Sequence, residues 1–194
     1  MKAILMSIRP QHLVNILNGK KTIELRKKFP SDFRGWVYCY CTKTKPYITQ
    51  QSKSQFTIRE SKDFTNLING KVVCRFWVDN VDTYYVESNM IWLFNEKEHS
   101  VVAGYKIEQG ILRKSCVSLE DFKKYAKPIN EKQKRLFAIH ISKLEIFDKP
   151  KELAEFYYYT IRLIDCGRDC PPYVKTQVHK APQSWRYIYI KEDK

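Results

Sequence analysis

The chain has 194 residues, 43% hydrophobic and 14% aromatic, enough to bury a core, which excludes a disordered chain. Its 35 Lys and Arg against 21 Asp and Glu leave a formal charge of +14, so a polyanion, nucleic acid first, is the expected partner. No apolar run reaches the roughly 18 residues of a membrane span and no signal-peptide pattern opens the chain, so an intracellular, cytoplasmic protein with reduced cysteines is expected.

Residues 2 to 8, KAILMSI, read as a buried first strand. Pro10 is a favoured first helical residue, and Leu13, Ile16 and Leu17 recur at helical spacing until Asn18 and Gly19 stop the turn. Then comes GKKTIELR, Gly19 to Arg26, whose alternation predicts a half-buried strand with Lys21, Ile23 and Leu25 on one face and Lys20, Thr22, Glu24 and Arg26 on the other. Residues 36 to 42, WVYCYCT, form the next strand, and the polar stretch from Lys43 to about Asn69 reads as a long loop. Asn69 and Gly70 turn the chain into one long strand, residues 71 to 86, in which Val73, Arg75, Trp77 and Asp79 share a face.

Residues 88 to 126 read as helical in at least two pieces, the second capped by Ser118 with Asp121 three residues on. Residues 134 to 147 alternate as another strand, 156 to 163 read as a short tyrosine-rich helix, DCGRDCPPY as a turn, and residues 183 to 191 as a closing strand. Cys39, Cys41 and Cys74 lie inside apolar strand patterns, where cysteine acts as a small hydrophobe. Cys166 and Cys170, with Asp165 and His179 nearby, are spaced more loosely than the ligands of structural zinc usually are, so no metal and no cofactor is expected. His12, His99 and His140 are scattered, and no serine triad, Walker loop, dinucleotide fingerprint or HExxH occurs.

The spacing of Gly19, Lys21, Glu24 and Arg26 resembles the GxKxxExR signature of the ASCH (activating signal cointegrator homology) family, a branch of the PUA-like superfamily. The SIRP before it and the Pro182-Gln183-Ser184-Trp185 stretch near the end resemble a bacterial and phage subgroup of similar length. The resemblance implies a mostly β, α+β fold: a small PUA-like β-barrel with peripheral helices, one of them before the signature strand. It implies one domain over 1–194, with a core to about residue 149, a helical insertion near 88–126, and a 150–194 extension that returns as the closing strand. It also implies a cleft beside the signature and a role with RNA or modified nucleosides.

Three functions follow. The first is an RNA- or nucleoside-binding protein whose basic cleft uses Arg9, Gly19, Lys20, Lys21, Thr22, Glu24, Arg26, Arg75, Gln183, Ser184 and Trp185. In it Trp185 either walls a base-stacking pocket or packs the core, and Arg75 is either an outer-face residue or an anion ligand. The second is a hydrolase or ribonuclease with Lys21 and Glu24 as acid/base pair, set against a plain Glu24–Arg26 ion pair beside a solvated Lys21. Small bacterial relatives that deacetylate acetylated cytidine use the signature lysine with a threonine where this chain has Glu24, so the resemblance makes Lys21 the catalytic residue of such an enzyme. The third is a coregulator-like module with a protein partner.

Overall fold

The structure, a computed structural model, describes residues 1–52, 54–87, 90–95, 100–103, 105–161 and 173–190. In chain order the elements are β1 (Lys2–Ile8), α1 (Pro10–Leu17), β2 (Ile23–Arg26), β3 (Gly35–Cys41), β4 (Tyr47–Ser52), β5 (Gln55–Arg59), β6 (Val72–Val78), β7 (Val81–Glu87), β8 (Met90–Asn95) and β9 (Ser100–Ala103). There follow α2 (Tyr105–Ser115), α3 (Leu119–Tyr125), β10 (Lys127–Pro128), β11 (Gln133–His140), β12 (Ser142–Lys151), a 3-10 turn (Leu153–Glu155), β13 (Tyr157–Ile161), β14 (Tyr173–Gln177) and β15 (Trp185–Tyr189). Strands dominate and helices are few, as the mostly β reading expects. The strand orders run as open paths among the described residues.

The chain packs as two compact units. One comprises Met1–Leu13, Gly35–Phe76 and Glu145–Lys194, the other Val14–Arg34 and Trp77–Leu144. The first is built on a seven-stranded sheet in the order β12-β6-β3-β1-β15-β13-β14, with β1 parallel to β3 and antiparallel to β15. Ala3, Leu5, Tyr38, Tyr40, Val72, Phe156, Val178 and Ile188 make one core cluster on it. Because β1 and β3 are covered on both faces, they read as near-continuous apolar runs.

The second unit has the sheet β10-β11-β7-β8-β9, with β2 paired to β11. Ile23, Leu25, Tyr84, Val86, Leu136 and Ala138 from one face of that sheet pack with Ile111 of α2 and Phe122 of α3. Ser118 caps α3 by accepting a hydrogen bond from the Asp121 N–H at 3.0 Å, which satisfies an end donor that the helix itself cannot.

Several expectations are corrected. The stretch 88–126 opens with strands β8 and β9, since the aromatic and β-branched run MIWLFN pairs with β7 before any helix begins. The expected long strand over 71–86 is two strands in different sheets, broken at Asp79 and Asn80. Likewise 134–147 divides at Ile141 into β11 and β12, and Lys143 takes a positive φ of 46°. The loop after Lys43 contains the β4–β5 hairpin. The tyrosine-rich run from 157 is a strand, because β-prone aromatics there find partners in β14 and β15. Cys166, Cys170, Asp165, His99 and the DCGRDC turn lie outside the described residues.

Candidate functional site

The signature begins with a helix stop. Gly19, at φ +69°, donates its N–H to Ile16 O at 2.9 Å while Lys20 donates to Asn15 O at 2.8 Å, the paired bonds of a Schellman cap that requires a left-handed residue. The far end of α2 closes the same way. Cys116, at φ 53°, donates to Arg113 O and Val117 to Leu112 O, both at 3.3 Å.

The start of the signature strand is tied to that helix end. Thr22 N–H donates to Lys114 O at 2.9 Å, the Cys116 thiol sits 3.4 Å from Lys20 O, and Lys21 Nζ donates to Ser115 O at 2.5 Å. An ammonium fits there, because the last carbonyls of a helix lack intrahelical donors and carry the negative end of its dipole.

Lys21 Nζ also lies 3.4 Å from Glu24 Oε2, and Glu24 Oε1 is 2.9 Å from Arg26 Nη2. All three residues are buried, with Lys21 2% exposed, so the expectation of a solvated lysine is corrected. Lys21 and Arg26 thus share the Glu24 carboxylate out of water, and burying charged groups in this way is tolerated where they are paired. Within β2 the alternation holds, with Ile23 and Leu25 in the core beneath α2 and α3 and Glu24 and Arg26 on the opposite face. The strand begins only at Ile23, however, and Lys21, expected to share the Ile23 and Leu25 face, meets Glu24 instead. All four strand residues are nevertheless buried, where a half-buried strand was expected. Gly19, Lys20 and Thr22 remain exposed, as do Lys27 and Lys28 just beyond.

A second polar pair in the same unit was not foreseen from the sequence. His140 Nε2 lies 2.7 Å from Asp82 Oδ2, and Asn80 Nδ2 donates to Asp82 Oδ1 at 2.7 Å. The β11–β7 register sets Ala138 opposite Asp82, which brings His140, two residues on and on the same face, within reach. Burial pushes the Asp82 carboxyl up, but the hydrogen bond and charge of His140, the Asn80 amide and the charge of Lys114 together hold it below its ordinary value. Nothing in the sequence announces this pair, because its partners are 58 residues apart.

The remaining sequence-predicted residues belong to the first unit. Ser7 N–H donates to Ser184 O at 2.9 Å and the Ser7 hydroxyl to Pro182 O at 2.6 Å, so the SIRP and PQSW stretches are hydrogen bonded to each other. Trp185 is half-buried opposite Met6, edge-on to Tyr187 at 5.5 Å, while Arg9 and Gln183 are exposed. Arg75 is committed elsewhere: Nε donates to Glu145 Oε2 at 2.7 Å, Nη1 to the Tyr38 hydroxyl at 3.0 Å, and its guanidinium lies 4.3 Å from the Trp36 ring centre. Burial works against that charge, but the bonds to Glu145 and Tyr38 keep its pKa above the ordinary arginine value. No group of three or more His, Cys, Asp or Glu is placed to hold a metal, and no helix is long and apolar enough to cross a membrane, among the described residues.

No family model matches the chain, and no curated protein matches it. Solved structures do. The crystal structure of ASCH from Zymomonas mobilis is similar over 98% of this chain and 89% of that one, at 14% identity and a TM-score of 0.51. A tyrosine-to-phenylalanine mutant of that protein is similar over 99% and 92%, at 14% identity and a TM-score of 0.50. At that identity the agreement lies in the path of the backbone, and over nearly its whole length this chain has the fold of the ASCH domain proteins.

Proposed function

We propose that the protein is an ASCH family member that binds RNA through the segment Gly19 to Lys28. The observation that carries the reading is the buried cluster of Lys21, Glu24 and Arg26, whose two cations outnumber its one carboxylate. It braces a strand bordered by exposed Lys20, Thr22, Lys27 and Lys28. Exposed lysines on a braced segment hold phosphates by charge at little ordering cost, and the +14 formal charge of the chain favours the same partner. The RNA or modified-nucleoside role implied by the ASCH resemblance agrees.

The test is a salt titration of binding to cellular RNA. Replacing Lys20, Lys27 and Lys28 by alanine lowers the slope of log affinity against log salt by about 0.7 to 0.9 for each phosphate no longer neutralised. An unchanged slope removes this segment from the RNA interface.

One observation favours a second reading, a hydrolase acting on RNA or a modified nucleoside. The Asp82–His140 pair, 2.7 Å apart in the same unit, has the geometry of a general base oriented by a carboxylate. Nucleoside mass spectrometry of RNA before and after incubation decides it: a changed nucleoside or shortened RNA that His140→Gln abolishes makes the protein an enzyme, and unchanged RNA makes it a binder.

A further inference from the structure

The first unit carries a surface that the signature does not involve. In β15, Trp185, Tyr187 and Tyr189 alternate onto one face of the sheet, while Arg186 and Ile188 take the other. The register pairs Tyr189 with Lys2 of β1 on one side and with Tyr157 of β13 on the other, so these residues share that face. Tyr159 follows Tyr157 onto it, and β14 adds Lys175 opposite Tyr159. The result is a continuous array of rings and ammonium groups. The Tyr159 and Tyr189 rings meet edge-on at 4.7 Å, Lys2 Nζ is 3.7 Å from the Tyr187 ring centre, and Lys175 Nζ is 4.1 Å from that of Tyr157.

Packing alone does not account for this array. Tyr159, on the β13–β14 arm beyond the Tyr157–Tyr189 pair, and Tyr189 are 45% and 41% exposed, although aromatic rings are ordinarily buried for their large apolar area. Toward β3 the same sheet face is closed, with Ile4, Met6, Val37 and Cys39 fully buried, so the exposure belongs to the β15-β13-β14 end alone. No Asp or Glu occurs in β13, β14 or β15, and their ionisable cations are Lys175 and Arg186. Rings that offer π-faces, with lysines beside them and no carboxylate among the residues of these three strands, complement a strand whose bases are unpaired and whose backbone is anionic. A protein partner would meet the same rings, but it would not need the ionised side chains described in these three strands to be all positive.

We propose that the β15-β13-β14 face is a platform for single-stranded RNA, with bases stacking on Tyr159 and Tyr189 and phosphates held by Lys2 and Lys175. The site shares no residue with the Gly19 to Lys28 segment and stands or falls independently of it. The sheet's pleat repeats the rings at alternate residues, so neighbouring tyrosines present themselves to neighbouring bases.

The experiment is fluorescence anisotropy with an oligouridine of about 12 nucleotides, within the roughly 4 to 16 that single-strand surfaces cover. It uses the whole chain, and thermal melting checks that each variant folds. Tyr159→Leu with Tyr189→Leu weakens binding by about tenfold or more, because each missing ring leaves one base unstacked. Tyr159→Phe with Tyr189→Phe keeps the ring faces and binds as the parent protein does. A duplex of the same sequence, whose bases are already paired, binds at least tenfold more weakly than the single strand. Ultraviolet cross-linking places oligouridine adducts on peptides containing Tyr159 or Tyr189. Four results overturn the proposal: no oligouridine binding, unweakened binding by the leucine variant, equal affinity for duplex, or adducts confined to other peptides. If the leucine variant binds normally while Lys20, Lys27 and Lys28 replaced by alanine do not, the platform fails and the signature segment stands; the converse result removes the signature segment and keeps the platform.

Discussion

The ammonium of Lys21 donates to the carbonyl oxygen of Ser115 at 2.5 Å, and so a residue of the signature closes the end of a helix 94 positions along the chain. Lys21 is therefore part of the scaffold of its unit as well as part of the motif. Lys21→Met leaves Ser115 O without this donor and removes a cation that flanks Glu24, and is expected to cost about 2 to 3 kcal/mol. Urea denaturation measures it. The double variant with Glu24→Gln loses less than the sum of the two single changes, by about 1 kcal/mol or more, because the two groups interact directly. Additive losses would mean that the pair is not coupled.

Gly19 at φ +69° has open space where a Cβ would go, with no heavy atom within 4 Å. Gly19→Ala is expected to cost about 1 kcal/mol from backbone strain alone, and Gly19→Asn less, since asparagine tolerates the left-handed region. Thermal or urea unfolding of the two variants checks the order; equal losses would point to side-chain crowding instead.

The carboxyl of Asp82, held below its ordinary value by His140, Asn80 and Lys114 against the opposing effect of burial, stabilises the fold only when ionised. Its folded pKa is lower than its unfolded one, so the contribution is present above the ordinary aspartate value of 3.8 and is lost as pH falls through the folded pKa. Unfolding free energies between about pH 5 and about pH 2 fall less steeply in Asp82→Asn than in the parent chain. Parallel acid limbs would assign the acid sensitivity to other carboxylates.

Cys41 is pushed from 9.0 up to about 12, first by burial and then by the neighbouring Cys74. Here the folded pKa exceeds the unfolded one, so the stabilisation is complete below pH 9 and disappears as pH rises toward about 12. Cys41 in the folded protein is expected to resist iodoacetamide at neutral pH, because the thiolate is the reactive form, while among the described cysteines the half-buried Cys116 reacts first. Peptide mass spectrometry after brief alkylation reads the order directly, and prior reaction at Cys41 would contradict its burial.

Much of the local structure was legible in the chain. Pro10 with Leu13, Ile16 and Leu17 marked α1, Gly19 marked its end, Ser118 marked the start of α3, and alternation sorted Ile23 and Leu25 from Glu24 and Arg26. These features depend on neighbours within a turn or two, where backbone sterics and unsatisfied end groups act without reference to the rest of the molecule. That the SIRP and PQSW stretches are hydrogen bonded to each other was not legible in either of them.

Tertiary structure decided what distant partners decide. Short aromatic and β-branched runs such as Met90–Asn95 and Tyr157–Ile161 became strands because β7, β14 and β15 offered backbone partners. The apparent single strand from residue 71 to 86 split because its halves pair in different sheets. Lys21 is buried rather than solvated because α2 brings Ser115 O to it, and Asp82 meets His140 only through the β7–β11 register. Alternation determines which residues share a face, since that follows from the backbone's own period of two. Which strand lies alongside, and so which charge meets which, is set by the register of packed elements far apart in sequence, and no local pattern encodes it.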